Sequence, residues 1–280
     1  MSIFDPHVPW GIVSVMNPTV NIAIRAARAA GKVLLRYYDR VDQIKVQTKS
    51  RNDFVSEVDR SAEQVIIQEL RARFPSHAIL AEESGAQGEG DYQWVIDPLD
   101  GTANYLHGFP QFSVSIALRV RGQLECAVVY DPLREELYTA ARGEGAQLND
   151  RRLRVAGRPS LDGALIGTGF PFRDQRHIDA YLGMFKDMTL STAGLRRPGS
   201  AALDLAYVAA GRTDGFWELG LSPWDFAAGA LLVTEAGGTV TDLSGGPRYF
   251  DTCNLVAGNL KVHQAMLELI RPHLSDALNA

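Results

Sequence analysis

The apolar residues of this chain follow two different patterns, which change about halfway along. In the first half, two segments with helical spacing, 17–38 and 56–74, are followed by short runs of strand character. Residues 112–120 and 124–130 alternate between apolar and polar, and a short stretch around Gly122 joins them as a hairpin signal. We therefore predict two helices and a mostly antiparallel sheet for this half.

The second half alternates strands and helices from residue 164 to residue 274. This rhythm favours a more parallel sheet. One of the helices begins at Ser200, which we expect to cap it. Because no Pro-rich or Ser-rich linker separates the halves, we predict one unit over residues 16–280 with two lobes, about 16–150 and 151–280.

The composition excludes several classes of protein. The chain has 280 residues and a formal net charge of −5, which argues against a strongly basic nucleic-acid surface. No apolar run approaches the roughly 18–20 residues that a membrane span needs. Cys126 and Cys253 are too few for a disulfide scaffold and favour free thiols in a protein of the reducing cytoplasm. Residues 1–15 lack helical periodicity and the features of a signal peptide, and we predict an irregular N-terminal extension.

The most informative stretch covers residues 94–104. An apolar strand leads directly into Asp97 and Asp100, and a turn after the strand can direct both carboxylates, with the Leu99 carbonyl, at one ion. Oxygen ligands of this kind suit a hard cation such as Mg²⁺. Gly101 leaves room for a substrate at the backbone, and a helix beginning after it would present N–H groups to an anion such as phosphate. An ordinary Asp-Gly turn is the alternative interpretation.

Two further acidic segments are less distinctive on their own. Glu82-Glu83 follow the apolar residues 78–81, and an acidic pair at a strand end is more often solvated than a ligand. Asp225 opens an apolar helix, where an acidic residue commonly complements the positive N-terminus. Their combination with the 94–104 stretch makes a single acidic site the stronger interpretation.

Seven segments, in this order, carry a resemblance to a known family. They are Lys49 with Asn52-Asp53-Phe-Val-Ser56-x-x-Asp59, Ala81-Glu82-Glu83-Ser84, Asp97-Pro-Leu-Asp100-Gly101-Thr102, Gly169-Phe-Pro-Phe-Arg173, Gly199-Ser200-Ala201-Ala202, Trp224-Asp225-x-Ala-Ala-Gly229 and Glu235-Ala-Gly-Gly238. The chain from about Met16 resembles the inositol monophosphatase family of Mg²⁺-dependent phosphatases, in particular its bacterial SuhB-type members. The resemblance implies one catalytic unit with an α+β or α/β fold, a layered αβαβα sandwich with a mostly antiparallel first sheet and a mixed second sheet.

The resemblance also implies roles for individual residues. The metal ligands, for two or three Mg²⁺ ions, would be Glu82, Asp97, the carbonyl of Leu99, Asp100 and Asp225. Glu82 and Thr102 would position and deprotonate the attacking water, and Asp59 would support a weaker metal. The substrate would contact Lys49 in a lid loop, the N–H groups of Gly101 and Thr102, and the polyol-binding residues Gly199, Ser200, Ala201, Glu218 and Asp225. Without metal, so many carboxylates would repel one another and raise one another's pKa values.

These roles imply hydrolysis of myo-inositol monophosphate, and of related small polyol monophosphates, by direct attack of water. The family resemblance further implies a lithium-sensitive homodimer. No Cys or His lies in the metal-binding motifs, which argues against a phosphocysteine or phosphohistidine intermediate. The same motifs would serve another small phosphate, such as a 3′-phosphoadenosine nucleotide, fructose 1,6-bisphosphate or histidinol phosphate.

A function of a different class is also open. Some bacterial proteins that resemble this chain are binding partners of the transcription machinery, with RNA or protein contacts. Two arginine clusters, Arg151-Arg152-Leu-Arg154 and Leu195-Arg196-Arg197-Pro198, would then supply a local basic face. Arginine pairs are more often ordinary solvated surface. Such a binding role would not require the metal ligands.

Overall fold

The computed structural model of the chain describes residues 17–40, 46–50, 53–171, 175–275 and 278, with the backbone alone at 46–50 and 53–56. The predicted extension at residues 1–15 lies outside the described residues. The α-helices in the described ranges are α1 (Pro18–Tyr38), α2 (Glu57–Arg73), α3 (Thr102–Leu106), α4 (Ile178–Ser191), α5 (Ala201–Ala209), α6 (Pro223–Glu235), α7 (Tyr249–Thr252) and α8 (Leu260–Ile270).

The strands in these ranges group into three sheets. They are β1 (Val46–Ser50), β2 (Asp53–Ser56), β3 (Ala78–Ala81), β4 (Gly85–Gln87), β5 (Tyr92–Asp100), β6 (Ser113–Val120), β7 (Gln123–Asp131), β8 (Glu136–Ala141), β9 (Gly145–Leu148), β10 (Arg151–Arg152), β11 (Leu165–Thr168), β12 (Gly194–Arg196), β13 (Gly215–Glu218), β14 (Thr239–Thr241) and β15 (Leu255–Gly258). Strands β1 and β2 form a small antiparallel pair.

The first large sheet has the order β10-β9-β8-β7-β6-β5-β3-β4 across the described residues. Its neighbouring strands are antiparallel except for β3 and β5, which are parallel. The predicted antiparallel sheet is therefore confirmed. The predicted lobe boundary at residue 150 falls within the turn between β9 and β10, so this hairpin pairs across it.

The second sheet is mixed, with the order β12-β11-β13-β15-β14 in the described part of the chain. Strand β11 is parallel to β12 and β13, whereas β15 is antiparallel to β13 and β14. The alternation of strands and helices overstated the parallel pairing for a physical reason. The chain passes from β13 through α6 to β14, and these two strands run in the same direction. Strand β15, which follows β14 in the chain, lies between them and is antiparallel to both. The mixed sheet that the family resemblance implied is confirmed.

The buried residues divide the molecule into five layers. One core joins α1 and α2 to one face of the first sheet, where Trp94 and Ile96 point. A second core holds α5 and α6 between the other face, with Val95, and the second sheet, with Phe216. A third core covers the far face of the second sheet, with Trp217, by α4 and α8. The result is the predicted αβαβα sandwich, and because both sheets are covered on both faces, their strands are apolar on both faces as well.

The middle helix layer explains why α5 and α6 are apolar nearly all around. Eight of the nine residues of α5 are buried, and so is the run from Asp225 to Val233 in α6. A helix that is buried on every side belongs between two other layers. Two charged residues in these buried stretches, Asp204 and Asp225, lie at the helix ends that face the cleft described below. Among the described residues, no helix combines the length and apolar character of a membrane span.

Candidate active site

The two aspartates near the end of β5 reach the same cleft because the strand contains a bulge. In a regular strand, residues three apart such as Asp97 and Asp100 point to opposite faces. Here Asp97 pairs with Ser115 of β6 and Asp100 pairs with Ser113, so three residue steps of β5 match two of β6. Pro98, which has no N–H for the ladder, lies inside this irregularity. The extra residue reverses the alternation and brings both carboxylates to the cleft.

The parallel pair of β3 and β5 adds Glu82 to the same cleft. Ala81 pairs with Ile96, and the amide of Glu82 donates to the Ile96 carbonyl at 3.1 Å. Because the two strands run in the same direction, their carboxyl ends meet and Glu82 follows beside Asp97. Glu82 is therefore a residue of the cleft wall rather than only a solvated strand end.

Glu63 of α2 holds the turn that carries Glu82, although none of the sequence motifs above includes it. Its carboxylate accepts from the amides of Glu83 at 2.8 Å and of Ser84 at 2.9 Å. Glu63 is only 3% exposed. A signal was present, because Glu63 lies at helical spacing from the buried residues Asp59 and Ile66. A charged residue on that face requires hydrogen-bond partners.

Asp225 is the third residue of α6, where a capping box sets its orientation. Its Oδ2 accepts from the Ser222 amide at 2.7 Å, and the Ser222 hydroxyl accepts from the Asp225 amide. Ser115 of β6 donates to the Trp224 carbonyl at 3.1 Å and attaches this end of α6 to the first sheet. Asp225 thus complements the helix N-terminus, as the simpler interpretation predicted, and also lines the cleft.

Ser200 precedes α5, but it does not cap that helix, so the predicted cap is wrong. Its hydroxyl donates instead to Asp100 Oδ2 at 2.6 Å, and the Ala202 amide donates to the same oxygen at 2.8 Å. A charged carboxylate is a stronger acceptor for the helix amide than a hydroxyl is. The acceptor at the start of α5 is therefore Asp100, 100 residues earlier in the chain.

The hydroxyl of Thr102 lies between two acceptors. Its Oγ1 is 3.1 Å from Asp59 Oδ1 and 3.0 Å from the Leu99 carbonyl oxygen. A hydroxyl has one proton to donate, so its lone pairs remain to accept. Asp59 is fully buried and is not on the cleft wall. It reaches the site through Thr102.

The cleft has a volume of about 290 Å³ and contains most of the residues predicted for the site. The predicted residues on its wall are Glu82, Asp97, Leu99, Asp100, Gly101, Thr102, Gly199, Ser200, Ala201, Glu218 and Asp225. Lys49 was predicted to lie in a loop, and that location is wrong, because residue 49 belongs to strand β1, which pairs with β2. Its side chain is outside the described residues. Phe170 and Arg197, which belong to the 169–173 segment and to the second arginine cluster, also lie on the wall. Arg176 and Asp204 lie there as well, and no sequence motif indicated them.

Glu218 lies directly against Gly169, which explains part of the 169–173 segment. A Cβ at residue 169 would be 1.9 Å from Glu218 Oε1. Only glycine leaves room for this carboxylate. Burial, followed by the charges of Glu218 and Asp100, raises the pKa of the neighbouring Asp204 well above its usual value, and Arg197 opposes this shift. The wall around Glu218 is therefore acidic.

The four carboxylates of the proposed metal site destabilise one another's charged forms. Burial is the largest cause that raises the pKa of Asp97, and the charges of Glu82, Asp100 and Asp225 add to it. Burial and then Asp225 raise the pKa of Asp100 to about 7, although hydrogen bonds from Ser200 and Ala202 lower it. A bound cation would relieve this repulsion.

The donor set fits Mg²⁺ in its chemistry. Every candidate ligand is an oxygen, as Mg²⁺ prefers, and no sulfur or imidazole lies among them. Within the described residues, no group of three or more acidic, His or Cys side chains converges as a closed metal cluster does. Mg²⁺ usually binds through one or two carboxylates and keeps several waters, so an open arrangement is compatible with it.

The repulsion among the carboxylates of the cleft predicts a pH-dependent effect of Mg²⁺ on stability. The folded-state pKa of Asp100, about 7, exceeds its usual value of 3.8, and that of Asp97 is also raised. The metal-free folded protein therefore holds extra protons between about pH 4 and pH 7, and its free energy of unfolding falls as the pH rises through this window. We expect Mg²⁺ to raise the melting temperature more at pH 8 than at pH 5. Scanning calorimetry with EDTA or with Mg²⁺ measures this, and equal shifts at both pH values would contradict it.

Comparison with known proteins agrees with the geometry. The sequence profile of the inositol monophosphatase family matches residues 16–277. The chain belongs to the inositol monophosphatase family. It is 57% identical over 269 residues to the Nus factor SuhB of Pseudomonas aeruginosa. The matched region covers 94% of this chain and 99% of that relative.

Solved structures of the inositol monophosphatase family share this fold. The extragenic suppressor protein suhB from Bartonella henselae is 44% identical with a TM-score of 0.89, covering 92% of this chain and 100% of that chain. The inositol monophosphatase from Anabaena is 40% identical with a TM-score of 0.81, and the match covers 90% of this chain and 95% of that chain. The predicted family and fold are thus confirmed. The names of these relatives include both an inositol monophosphatase and a Nus factor.

Proposed function

We propose that this chain is a Mg²⁺-dependent phosphatase that hydrolyses myo-inositol monophosphate and related small polyol monophosphates. The observation that carries the proposal is the arrangement of four carboxylates around one cleft. Glu82 follows β3, Asp97 lies in the neighbouring parallel strand β5, Asp100 follows the bulge, and Asp225 lies in the first turn of α6. Membership of the inositol monophosphatase family supports it.

Mg²⁺ would be held by Glu82, Asp97, the Leu99 carbonyl, Asp100 and Asp225. When bound there, it would lower the pKa of the attacking water and neutralise charge on the phosphate. The protein contributes the orientation of its ligands through the Ser222 amide on Asp225 and the Ser200 hydroxyl on Asp100.

Thr102 and Glu82 would handle the attacking water. The Thr102 hydroxyl donates toward Asp59 or the Leu99 carbonyl, so its lone pairs can accept a hydrogen bond from that water. This hydrogen bond would orient the water for attack on phosphorus. Glu82, which is only partly buried, would accept the proton. The N–H groups of Gly101 and Thr102 would hold the phosphate oxygens.

The wall formed by Asp204 and Glu218 favours a polyol as the leaving group. Carboxylate oxygens accept hydrogen bonds from hydroxyl groups. A second phosphate placed there would meet the Glu218 carboxylate. A neutral, hydroxyl-rich ring therefore suits this end of the cleft better than a bisphosphate does, with Gly199, Ser200 and Ala201 along its side.

Phosphate release from a panel of esters tests the proposal. The panel contains inositol 1-phosphate, glycerol 2-phosphate, fructose 1,6-bisphosphate, histidinol phosphate and a 3′-phosphoadenosine nucleotide, each with and without Mg²⁺. We expect Mg²⁺-dependent release led by inositol 1-phosphate and inhibited by lithium. If another ester leads, the substrate assignment is wrong and the mechanism stands. If no ester is hydrolysed by the folded protein, the phosphatase proposal itself is wrong.

A second candidate function follows from the relatives that are named Nus factor. The chain would then also bind a component of the transcription machinery, or RNA, in the cytoplasm. The two arginine clusters lie at strands on the edges of different sheets, with exposed Arg151 and Arg152 in β10 and exposed Arg196 at the end of β12. A reconstituted transcription assay with the Asp97→Asn variant separates the roles. Retained binding without phosphatase activity would support a separate role, and joint loss would argue against it.

A further inference from the structure

Asp100 belongs to the first sheet by sequence but is held by the second lobe. Its Oδ2 accepts from the Ser200 hydroxyl at 2.6 Å and from the Ala202 amide at 2.8 Å. The Ala201 amide also stabilises its charged form. Asp100 is 8% exposed, so water does little to orient it. Its position therefore depends on the start of α5.

Ser200 is poorly placed to bind a substrate hydroxyl directly. It is 1% exposed, although it lies on the cleft wall. Its single proton is already donated to Asp100 in a short, charge-assisted hydrogen bond. The remaining neighbour of its Oγ is the Ser113 hydroxyl at 3.5 Å. These contacts direct the Ser200 side chain at the carboxylate.

The segment before Ser200 is attached to the same part of the first lobe. The side-chain amide of Asn104 donates to the Pro198 carbonyl at 2.8 Å and to the Gln111 carbonyl at 2.8 Å. Residues 100–104 and 198–202 thus form one hydrogen-bonded unit across the two sheets. A shift of α5 would move Asp100, and a shift of Asp100 would move the α5 start.

We propose that Ser200 is a positioning residue for Asp100, which keeps this carboxylate oriented for a divalent cation and couples the cation site to helix α5. The inference rests on the proposed Mg²⁺ site and assigns Ser200 a role other than polyol binding. Partners that orient metal ligands typically contribute 10–100-fold to metal affinity. Removal of the hydroxyl should therefore act on cation binding before it acts on substrate binding.

Mn²⁺ binding, followed by electron paramagnetic resonance in the absence of substrate, tests this role without measuring activity. We expect Ser200→Ala to raise the Mn²⁺ dissociation constant roughly 10–100-fold. Ser200→Thr keeps the donor and should remain within about threefold of wild type, whereas Ser200→Cys, a weak donor of similar size, should also bind weakly. Ser113→Ala is the matched control, because it removes the adjacent buried hydroxyl without a hydrogen bond to Asp100.

Hydrogen exchange at the Ala202 amide gives a second readout. If Asp100 couples the sites, Mn²⁺ should change the protection of this amide in the wild type and less so in Ser200→Ala. The inference is overturned if the wild type binds Mn²⁺ and folded Ser200→Ala or Ser200→Cys binds it with the same affinity, showing only a raised KM for substrate. The proposed function would then remain intact. A wild-type protein that binds no Mn²⁺ would overturn both.

Discussion

Asp97→Asn is expected to abolish most phosphate release and, in metal-free buffer at pH 8, to raise the melting temperature. A metal ligand supports several kcal/mol of transition-state stabilisation, and each ~1.4 kcal/mol is a factor of ten in rate, so we expect a loss of roughly 10²–10⁴-fold. The gain in stability has a separate cause. Asparagine at this position removes a buried charge and its repulsion with Glu82, Asp100 and Asp225.

Steady-state kinetics and thermal unfolding measure the two effects on the same preparations. Relief of about 1 kcal/mol corresponds to roughly 2–4 °C in a chain of this size. Asp91→Asn is a suitable control, because Asp91 is an exposed partner of Arg121 and should change neither quantity by much. An Asp97→Asn variant that retains most of its activity would show that Asp97 is not a ligand. A lower metal-free melting temperature at pH 8 would contradict the electrostatic argument.

Gly101→Ala should cost both stability and activity through the backbone alone. Gly101 has a φ of +95°, and a Cβ there would lie 2.9 Å from the Gln111 carbonyl oxygen and 3.2 Å from that of Gly199. Neither backbone group can move independently, so the substitution adds overpacking to left-handed strain. We expect a loss of about 2–4 kcal/mol in the free energy of unfolding. The displaced Thr102 should reduce turnover by at least roughly 10²-fold.

Gly108→Ala isolates the steric part of this effect. Gly108 also has a positive φ, +65°, but no atom lies within 4 Å of a Cβ placed there. Urea unfolding and turnover of the two variants should therefore differ, with Gly108→Ala losing only the conformational term of about 1 kcal/mol. Equal losses would mean that strain, and not contact with the Gln111 and Gly199 carbonyl oxygens, limits residue 101.

The sequence was most informative where the chemistry is local. The 94–104 stretch places a strand, two carboxylates and a glycine within a few residues, and its relation to the cleft follows from that order. The bulge that aligns Asp97 with Asp100 could not be read from the sequence, because it depends on the register with β6. The presence of the acidic site was therefore predictable, whereas its geometry was not.

The features that the sequence did not predict correctly have a different cause. Each of them depends on a partner that is distant in the chain. Ser200 has the sequence features of a cap, but its hydroxyl donates a hydrogen bond to a carboxylate 100 residues earlier in the chain. Glu63 lies on the buried face of α2, and its partners, the amides of Glu83 and Ser84, are 20 or more residues away in the chain. Similarly, the mixed second sheet results from β15, which follows β14 in the chain but lies inside the sheet.

The parallel pair of β3 and β5 has a consequence for how this architecture tolerates changes in chain length. The chain between the two strands consists of residues 82–84, the edge strand β4 and the exposed residues 88–91. Neither the Ala81–Ile96 pairing nor the bulge depends on the length of this excursion. Insertions, deletions or new chain termini at residues 88–91 would leave Glu82 beside Asp97. The position of Glu82 in the acidic site is thus independent of the number of residues in this exposed segment.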